Sequence, residues 1–244
     1  MNTHETNEFE NPETGTGADE TAPGSLRLPL IVSGTILLLL VALSAAVWMR
    51  LPDGARVPTH WGPSGKADGF GGKGSLFLLP AVVAGVMVLF ALIPRFEPRR
   101  GHLLRSSKAY TATWMATLAF FVVLHGAMCW AALGRPLSMN PVIGVATGLL
   151  FTVIGNYFGK IRSNFVFGIR TPWTLSSELS WAKTHRLGGR LFMLLGLAIA
   201  LAGLLDPRGS ALMWTVLIGV LGMVAAVFAY SYVVWRRDPG RASG

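Results

Sequence analysis

The side chains best suited to chemistry in this chain gather in one stretch: Gly168, Arg170, Thr171, Pro172, Trp173, Thr174, Ser177, Glu178, Trp181 and His185. A carboxylate and an imidazole can exchange protons with a substrate. Two indoles among cations can instead anchor a partner protein. A helix lying along a membrane surface can also act as a lever that passes on a signal. Glu178 and His185 are two helical turns apart, about 10 Å along the axis, so they cannot hold one metal ion without other ligands. The chain contains no HExxH, nucleophile elbow, Walker loop or Gly-rich dinucleotide turn. We therefore read the stretch as a partner-binding or output segment of a protein that is not an enzyme, with no cofactor and no metal.

A second group lies upstream, at Pro58, His60, Trp61 and Lys73, with Asp68 and Phe70 between them. Ten of the 24 residues from 51 to 74 are Gly or Pro. That density works against helix and predicts successive turns. Two readings stay open. The segment is a plain connection whose aromatics rest at a lipid interface, or it is a recognition loop.

Both groups are positioned by apolar runs. Only 14% of the 244 residues are charged, against about 25% in an average soluble domain. Residues 28–49, 75–94, 136–159, 191–205 and 209–235 carry no charge, and only His125 interrupts 109–134. A bilayer core takes about 20 apolar residues as helix. Helices satisfy their own backbone polar groups, which lipid cannot do. The chain is thus predicted to be an all-α polytopic membrane protein with six transmembrane helices. Its first partner is the lipid bilayer. Trp48, Trp114, Trp130, Trp214 and Trp235 fall near span ends, the aromatic-belt position. Residues 1–27 hold six acids against one base and read as a disordered acidic tail, not a signal peptide.

Charge placement sets the orientation. With six spans, the tail, loops two and four and the C-terminus share a side, and that side holds 15 of the 21 Lys and Arg. The positive-inside rule then predicts a multi-pass protein of the cytoplasmic membrane with both termini in the cytoplasm. Residues 51–74 fall outside and the 168–186 stretch inside. The bases are spread over membrane flanks, so direct nucleic-acid binding is not expected.

Within the spans, Gly144, Gly148, Thr152, Gly155 and Gly159 share one face of the fourth helix, and Gly189, Gly196 and Gly203 recur on the fifth. Small residues at this spacing let backbones approach. The two spans should pack on each other, or on a second copy in a homo-oligomer. His125 sits near the middle of the third span, where an ionisable side chain suggests a proton relay. Against that, a neutral imidazole can bond a neighbouring helix at modest cost, and no span holds an acidic partner for it. Cys129 is the single cysteine, so there is no disulfide framework. Asn156, near the inner end of the fourth span, is placed to cap or cross-link helices.

Thr171-Pro172 should end any helix arriving from the fourth span. A new amphipathic interfacial helix is predicted to begin at Thr174 or Ser176, with Glu178 in its first turn. Glu178, Trp181, Ala182 and His185 would share one face. The helix would lead through Gly188-Gly189 into the fifth span.

At these residues the chain resembles the SdpI family of bacterial membrane proteins. The similarity runs through Gly155-Asn156, Asn164, Gly168-Ile169-Arg170-Thr171-Pro172-Trp173-Thr174-Leu175, Ser177, Trp181, Thr184-His185-Arg186 and Gly188. Ser163 stands where the family often has Pro. The outer segment, through Leu51-Pro52, Val57-Pro58, His60, Gly65 and Lys73, is similar to the domain of unknown function that commonly precedes that signature. The resemblance implies immunity of a producing cell against its own secreted membrane-active peptide toxin. It also implies signalling, in which the toxin-occupied protein sequesters a cytoplasmic repressor.

The expected organisation is an acidic tail over 1–27, a helical hairpin module over 28–94 and a four-helix module over 109–235 that contains the signature loop 155–190. The rival readings are a secondary transporter, for which His125 is the one suitable intramembrane group, and a membrane assembly factor.

Overall fold

The computed structural model describes residues 26–96, 106–206 and 209–241. The acidic tail up to residue 25, and Arg99, Arg100 and Arg105 of the second loop, lie outside the described residues. Among the described residues, six helices are long and apolar enough to cross a membrane. They are α1 (Arg27–Arg50), α2 (Leu78–Phe96, entered through a 3-10 turn at Lys73–Phe77), α3 (Ser107–Ala132), α4 (Met139–Phe158), α6 (Glu178–Leu205) and α7 (Ser210–Arg236). A one-turn helix, α5, spans Pro172–Leu175. The all-α polytopic architecture read from hydropathy is present.

The fourth and fifth spans pack on each other within one chain, through their glycines. A Cβ added at Gly148 would come within 2.4 Å of the Gly196 carbonyl oxygen, and one at Gly155 within 2.6 Å of the Gly189 oxygen. At the far end Gly144 and Gly203 meet, with a Cβ on either coming to 2.7 Å of the other's Cα. Three steps of backbone-to-backbone contact thus run the length of α4 and α6.

Three features differ from the sequence reading. Residues 51–74 contain an antiparallel hairpin, β1 (Val57–Trp61) on β2 (Ala67–Gly71). Frequent Gly and Pro hide any polar–apolar alternation, and the register is interrupted at His60. The hairpin holds because Val57 is fully buried against Val47, Leu76, Met128 and Cys129 at the bundle's end. Next, the signature helix is not separate from the fifth span: Glu178–Leu205 is one continuous helix. Gly188 and Gly189 do not break it because each is packed tightly, against Ile169 and against Gly155. Finally, Trp114 is no interfacial residue. It is fully buried, stacked on Phe90 with ring centres 5.3 Å apart, whereas Trp48, Trp130 and Trp214 are exposed.

Contacts between loops sort the two ends of the bundle. At one end Asn140 Nδ2 donates to the Pro63 carbonyl at 3.0 Å and the Met139 amide donates to the Gly65 carbonyl at 3.1 Å. Gly209 lies against the same Pro63 carbonyl. Loops one, three and five therefore share this end. At the other end the Arg162 amide donates to Ser106 Oγ at 2.9 Å, and Ser177 Oγ donates to Asp238. Loops two and four and the C-terminus share that end. The hairpin and the signature segment occupy opposite ends of one bundle.

Candidate functional site

The signature segment is built around three buried side chains. Asn164, fully buried, closes the loop after α4. Its Nδ2 donates to the carbonyls of Arg162 (2.9 Å) and Phe167 (2.8 Å), and its Oδ1 accepts the amides of Val166 (3.0 Å) and Phe167 (2.6 Å). An amide side chain supplies at once the two N–H donors and the twice-accepting oxygen that these four bonds need. Trp181 is the second: its indole N–H donates to the Ile161 carbonyl at 2.8 Å. His185 is the third, stacked on Trp181 with ring centres 4.1 Å apart. His185 Nε2 accepts the Ile169 amide at 2.9 Å, so Nδ1 carries the proton and donates to the Trp181 carbonyl at 2.9 Å. Both ring nitrogens are committed, and the imidazole is neutral.

Gly168 makes room for this ring. Its φ is +118°, a region open to glycine, and a Cβ there would lie 2.5 Å from His185 Nε2. Thr171 then caps α5, accepting the Thr174 amide, while Thr174 Oγ1 accepts the Thr171 amide, a reciprocal capping box. Pro172 occupies the first helical position, where its missing N–H costs nothing. The long helix α6 is capped by Ser177, which accepts the Ser180 amide at 2.9 Å. Thr174 and Ser176, the caps expected from sequence, serve elsewhere. The reason is the capping box, which uses Thr174 inside the preceding turn.

Serine and threonine hydroxyls fasten the segment to the last span. Thr171 Oγ1 donates to Ser231 Oγ at 3.1 Å, and Ser180 Oγ donates to the Ser231 carbonyl at 2.8 Å. Ser177 Oγ donates to the Asp238 carboxylate. That hydroxyl, helped by the Gly240 amide and by Arg241 and Lys183, holds the Asp238 carboxyl below its ordinary range. Sequence reasoning missed Ser180, Ser231 and Asp238. A lone serine in an apolar span was the available signal for Ser231. Nothing local marked Asp238.

The signature residues thus divide. Asn164, Thr171, Thr174, Ser177, Trp181 and His185 are buried and interlocked. Arg170, Pro172, Glu178 and Asn156 are exposed, alongside Lys183, Arg186 and Arg190. Trp173 is half-buried on α7, 4.6 Å from Phe228 and 5.1 Å from Tyr232 between ring centres. The expected shared face of Glu178, Trp181, Ala182 and His185 is therefore split. Trp181 is 2% exposed and cannot anchor an outside partner. Its indole instead donates to a loop carbonyl, that of Ile161.

At the opposite end, His60 Nδ1 and Asp68 Oδ1 pair at 2.5 Å across the hairpin, both exposed. Trp61 is half-buried and Pro58 buried. Lys73 donates to the Leu51 carbonyl at 2.9 Å, tying the hairpin's exit to the end of α1. His125 is fully buried and lies seven residues from the end of α3, nearer the hairpin than the middle of the span. Its Nε2 is 3.1 Å from Ser44 Oγ and 3.5 Å from Cys129 Sγ. Ser44 Oγ donates to the Leu76 carbonyl, so it accepts the His125 N–H. This bond links α1, α3 and the turn into α2. Among the described residues no three His, Cys, Asp or Glu side chains gather at metal-binding distance.

A six-span bundle with a hairpin at one end and a hydrogen-bonded signature segment at the other defines a polytopic membrane protein. Residues 160–233 match the SdpI/YfhL protein family, and residues 35–84 match a domain of unknown function. The chain is also 22% identical over 202 residues to the immunity protein SdpI of Bacillus subtilis (strain 168), covering 83% of this chain and 94% of that protein. The resemblance to the SdpI family therefore stands on residues 160–233 and on the alignment with that immunity protein. No solved structure matches the chain.

Proposed function

We propose that this protein confers immunity in the cytoplasmic membrane against a membrane-active peptide toxin and reports the toxin's presence to a cytoplasmic regulator. The observation that carries the reading is the alignment with an immunity protein along nearly that protein's whole length. The end-sorting of the loops supports an orientation with both termini inside. Lys108, Lys160, Arg162, Arg170, Lys183, Arg186, Arg190, Arg236, Arg237 and Arg241 belong to the signature end, and this excess of cations suits the cytoplasmic face.

In this reading the hairpin faces outward, and His60, Trp61 and the Lys73 region receive the toxin, with Pro58 shaping the strand. The signature segment faces inward. Its exposed Arg170 and Glu178 and half-buried Trp173 form the docking rim for a repressor. The buried set, Asn164 through His185, holds that rim in shape. No nucleic acid takes part directly.

The test is a deletion strain and an overexpressing strain challenged with purified membrane-active peptides and with spent medium of the same organism and its relatives. Sensitivity on deletion and resistance on overexpression is the expected result. Equal killing of both strains across the panel would sink the reading and turn attention to transport through the His125 region.

A further inference from the structure

A cleft of about 460 Å³ opens at the hairpin end, between the last turn of α1 and the base of β2, and it is lined by Trp48, Arg56, Phe70 and Lys73 together with glycines. The Arg56 guanidinium lies 5.7 Å from the Phe70 ring centre, and the Lys73 ammonium 5.2 Å from that of Trp48. Both rings are more than a third exposed, Trp48 at 39% and Phe70 at 44%. Two cations held over two partly bare aromatic faces form a site for a group that is anionic on one side and apolar on the other.

The charge balance favours an anion. No carboxylate lines the cleft. Asp53 approaches Lys73 to 3.6 Å from outside and is itself fully exposed. Among the described residues, no carboxylate comes within ion-pair distance of Arg56. Lys73 has committed a proton to the Leu51 carbonyl, and an ammonium has three to give.

Depth decides which anion. Trp48 lies in the final turn of α1, and Lys73 opens the helical rise into α2. The cleft therefore sits where two spans leave the hydrocarbon, at the level of the phosphates. Leu78, at the start of α2 and further into the span than Lys73, presents exposed apolar surface for an acyl chain. We propose that this cleft binds the phosphate of an anionic phospholipid, with Arg56 and Lys73 as its charge partners and Trp48 and Phe70 against its glycerol region. The inference does not depend on the toxin reading.

The experiment is native mass spectrometry of the full-length protein released from micelles doped with phosphatidylglycerol or with phosphatidylcholine of the same acyl chains. The wild type should retain phosphatidylglycerol preferentially. Arg56→Gln should cut that retention about fivefold, the worth of one cation near an anionic surface. Gly72→Leu supplies a second, charge-neutral test. Gly72 lines the cleft, has an ordinary φ of −75°, and a Cβ there meets nothing within 4 Å, so the substitution adds apolar bulk at the cleft without strain. It too should lower retention. Thermal stability of each variant controls for folding. Equal retention of the two lipids by the wild type, or undiminished retention in both variants, would overturn the proposal. So would full displacement of the lipid by excess inorganic phosphate, which would mark a free-anion site, or by an acidic peptide.

Discussion

His185 Nε2 accepts the backbone N–H of Ile169 from sixteen residues further along the chain, at 2.9 Å, and the missing Cβ of Gly168 is what lets it do so. This bond joins the first turns of α6 to the loop that precedes α5. It makes the histidine of the signature a structural acceptor held in one tautomer, with no proton free for chemistry.

The first prediction follows from that bond. His185→Ala leaves the half-buried Ile169 amide without its acceptor, at a cost of about 1–3 kcal/mol. Gly168→Ala forces a side chain into left-handed backbone and against the ring, at a cost of about 1–3 kcal/mol. Both should lower the thermal midpoint of the detergent-solubilised protein and open residues 160–175 to protease. The double variant should cost less than the sum, because one contact is lost in both. Strict additivity would contradict the coupling.

The second concerns Asn164. Asn164→Asp retains the acceptor but removes both donors to the Arg162 and Phe167 carbonyls and buries a carboxyl. It should destabilise at least as much as His185→Ala. Asn164→Asp as stable as wild type near neutral pH would argue against the loop-closing role.

The third concerns the Ser177–Asp238 tie. Asp238 is held below the ordinary carboxylate range, chiefly by the Ser177 hydroxyl. A carboxyl lowered by folding stabilises the fold above its unfolded value and loses that contribution as pH falls through its folded value. Acidification below about pH 4 should therefore loosen the C-terminal residues from α6. Carboxyl-carbon NMR of the wild type should show Asp238 titrating at a lower pH than an ordinary aspartate. Ser177→Ala should move that titration upward and, through loss of the helix cap, lower stability by about 1 kcal/mol. An unmoved titration would sever the link.

The fourth separates two kinds of glycine. Gly148→Ala and Gly155→Ala push a methyl against opposing backbone oxygens that cannot yield, so the α4–α6 pair must part, with an expected cost of about 1–3 kcal/mol. Gly34→Ala and Gly126→Ala meet nothing within 4 Å and should be neutral or slightly stabilising. Melting curves of the four variants in one detergent decide it. Uniform effects would refute the distinction.

The fifth tests orientation. In a Cys129→Ala background, which leaves no other cysteine, an impermeant thiol reagent applied to whole cells should label Ser64→Cys and spare Ser176→Cys. Both positions are exposed, at opposite ends of the bundle. Labelling of Ser176→Cys alone would invert the topology.

Much of the fold was legible in the chain. Uncharged runs near twenty residues marked six spans because lipid admits only a backbone that bonds to itself. The glycine rows of α4 and α6 foretold their contact because a helix presents positions four apart on one face. The hairpin was hidden. Its strands are short and rich in Gly and Pro, and what holds them is the burial of Val57 against residues from three other elements.

The signature shows the same division most clearly. Residue types pointed to Thr171, Trp181 and His185, and the family resemblance to Asn164, as positions with a task. Local rules could not tell which of them face inward. Trp181 looked like an anchor for a partner, yet its indole serves the Ile161 carbonyl twenty residues earlier. Asp238 gave no local sign and acquires its role only because α7 brings it back to Ser177. Hydropathy and spacing are properties of neighbouring residues, so the sequence by itself determined the spans, their number and the paired glycine faces. Burial and hydrogen-bond partnership depend on which distant groups arrive at the same place. Only the tertiary structure decided which signature residues are sealed inside and which remain on the surface.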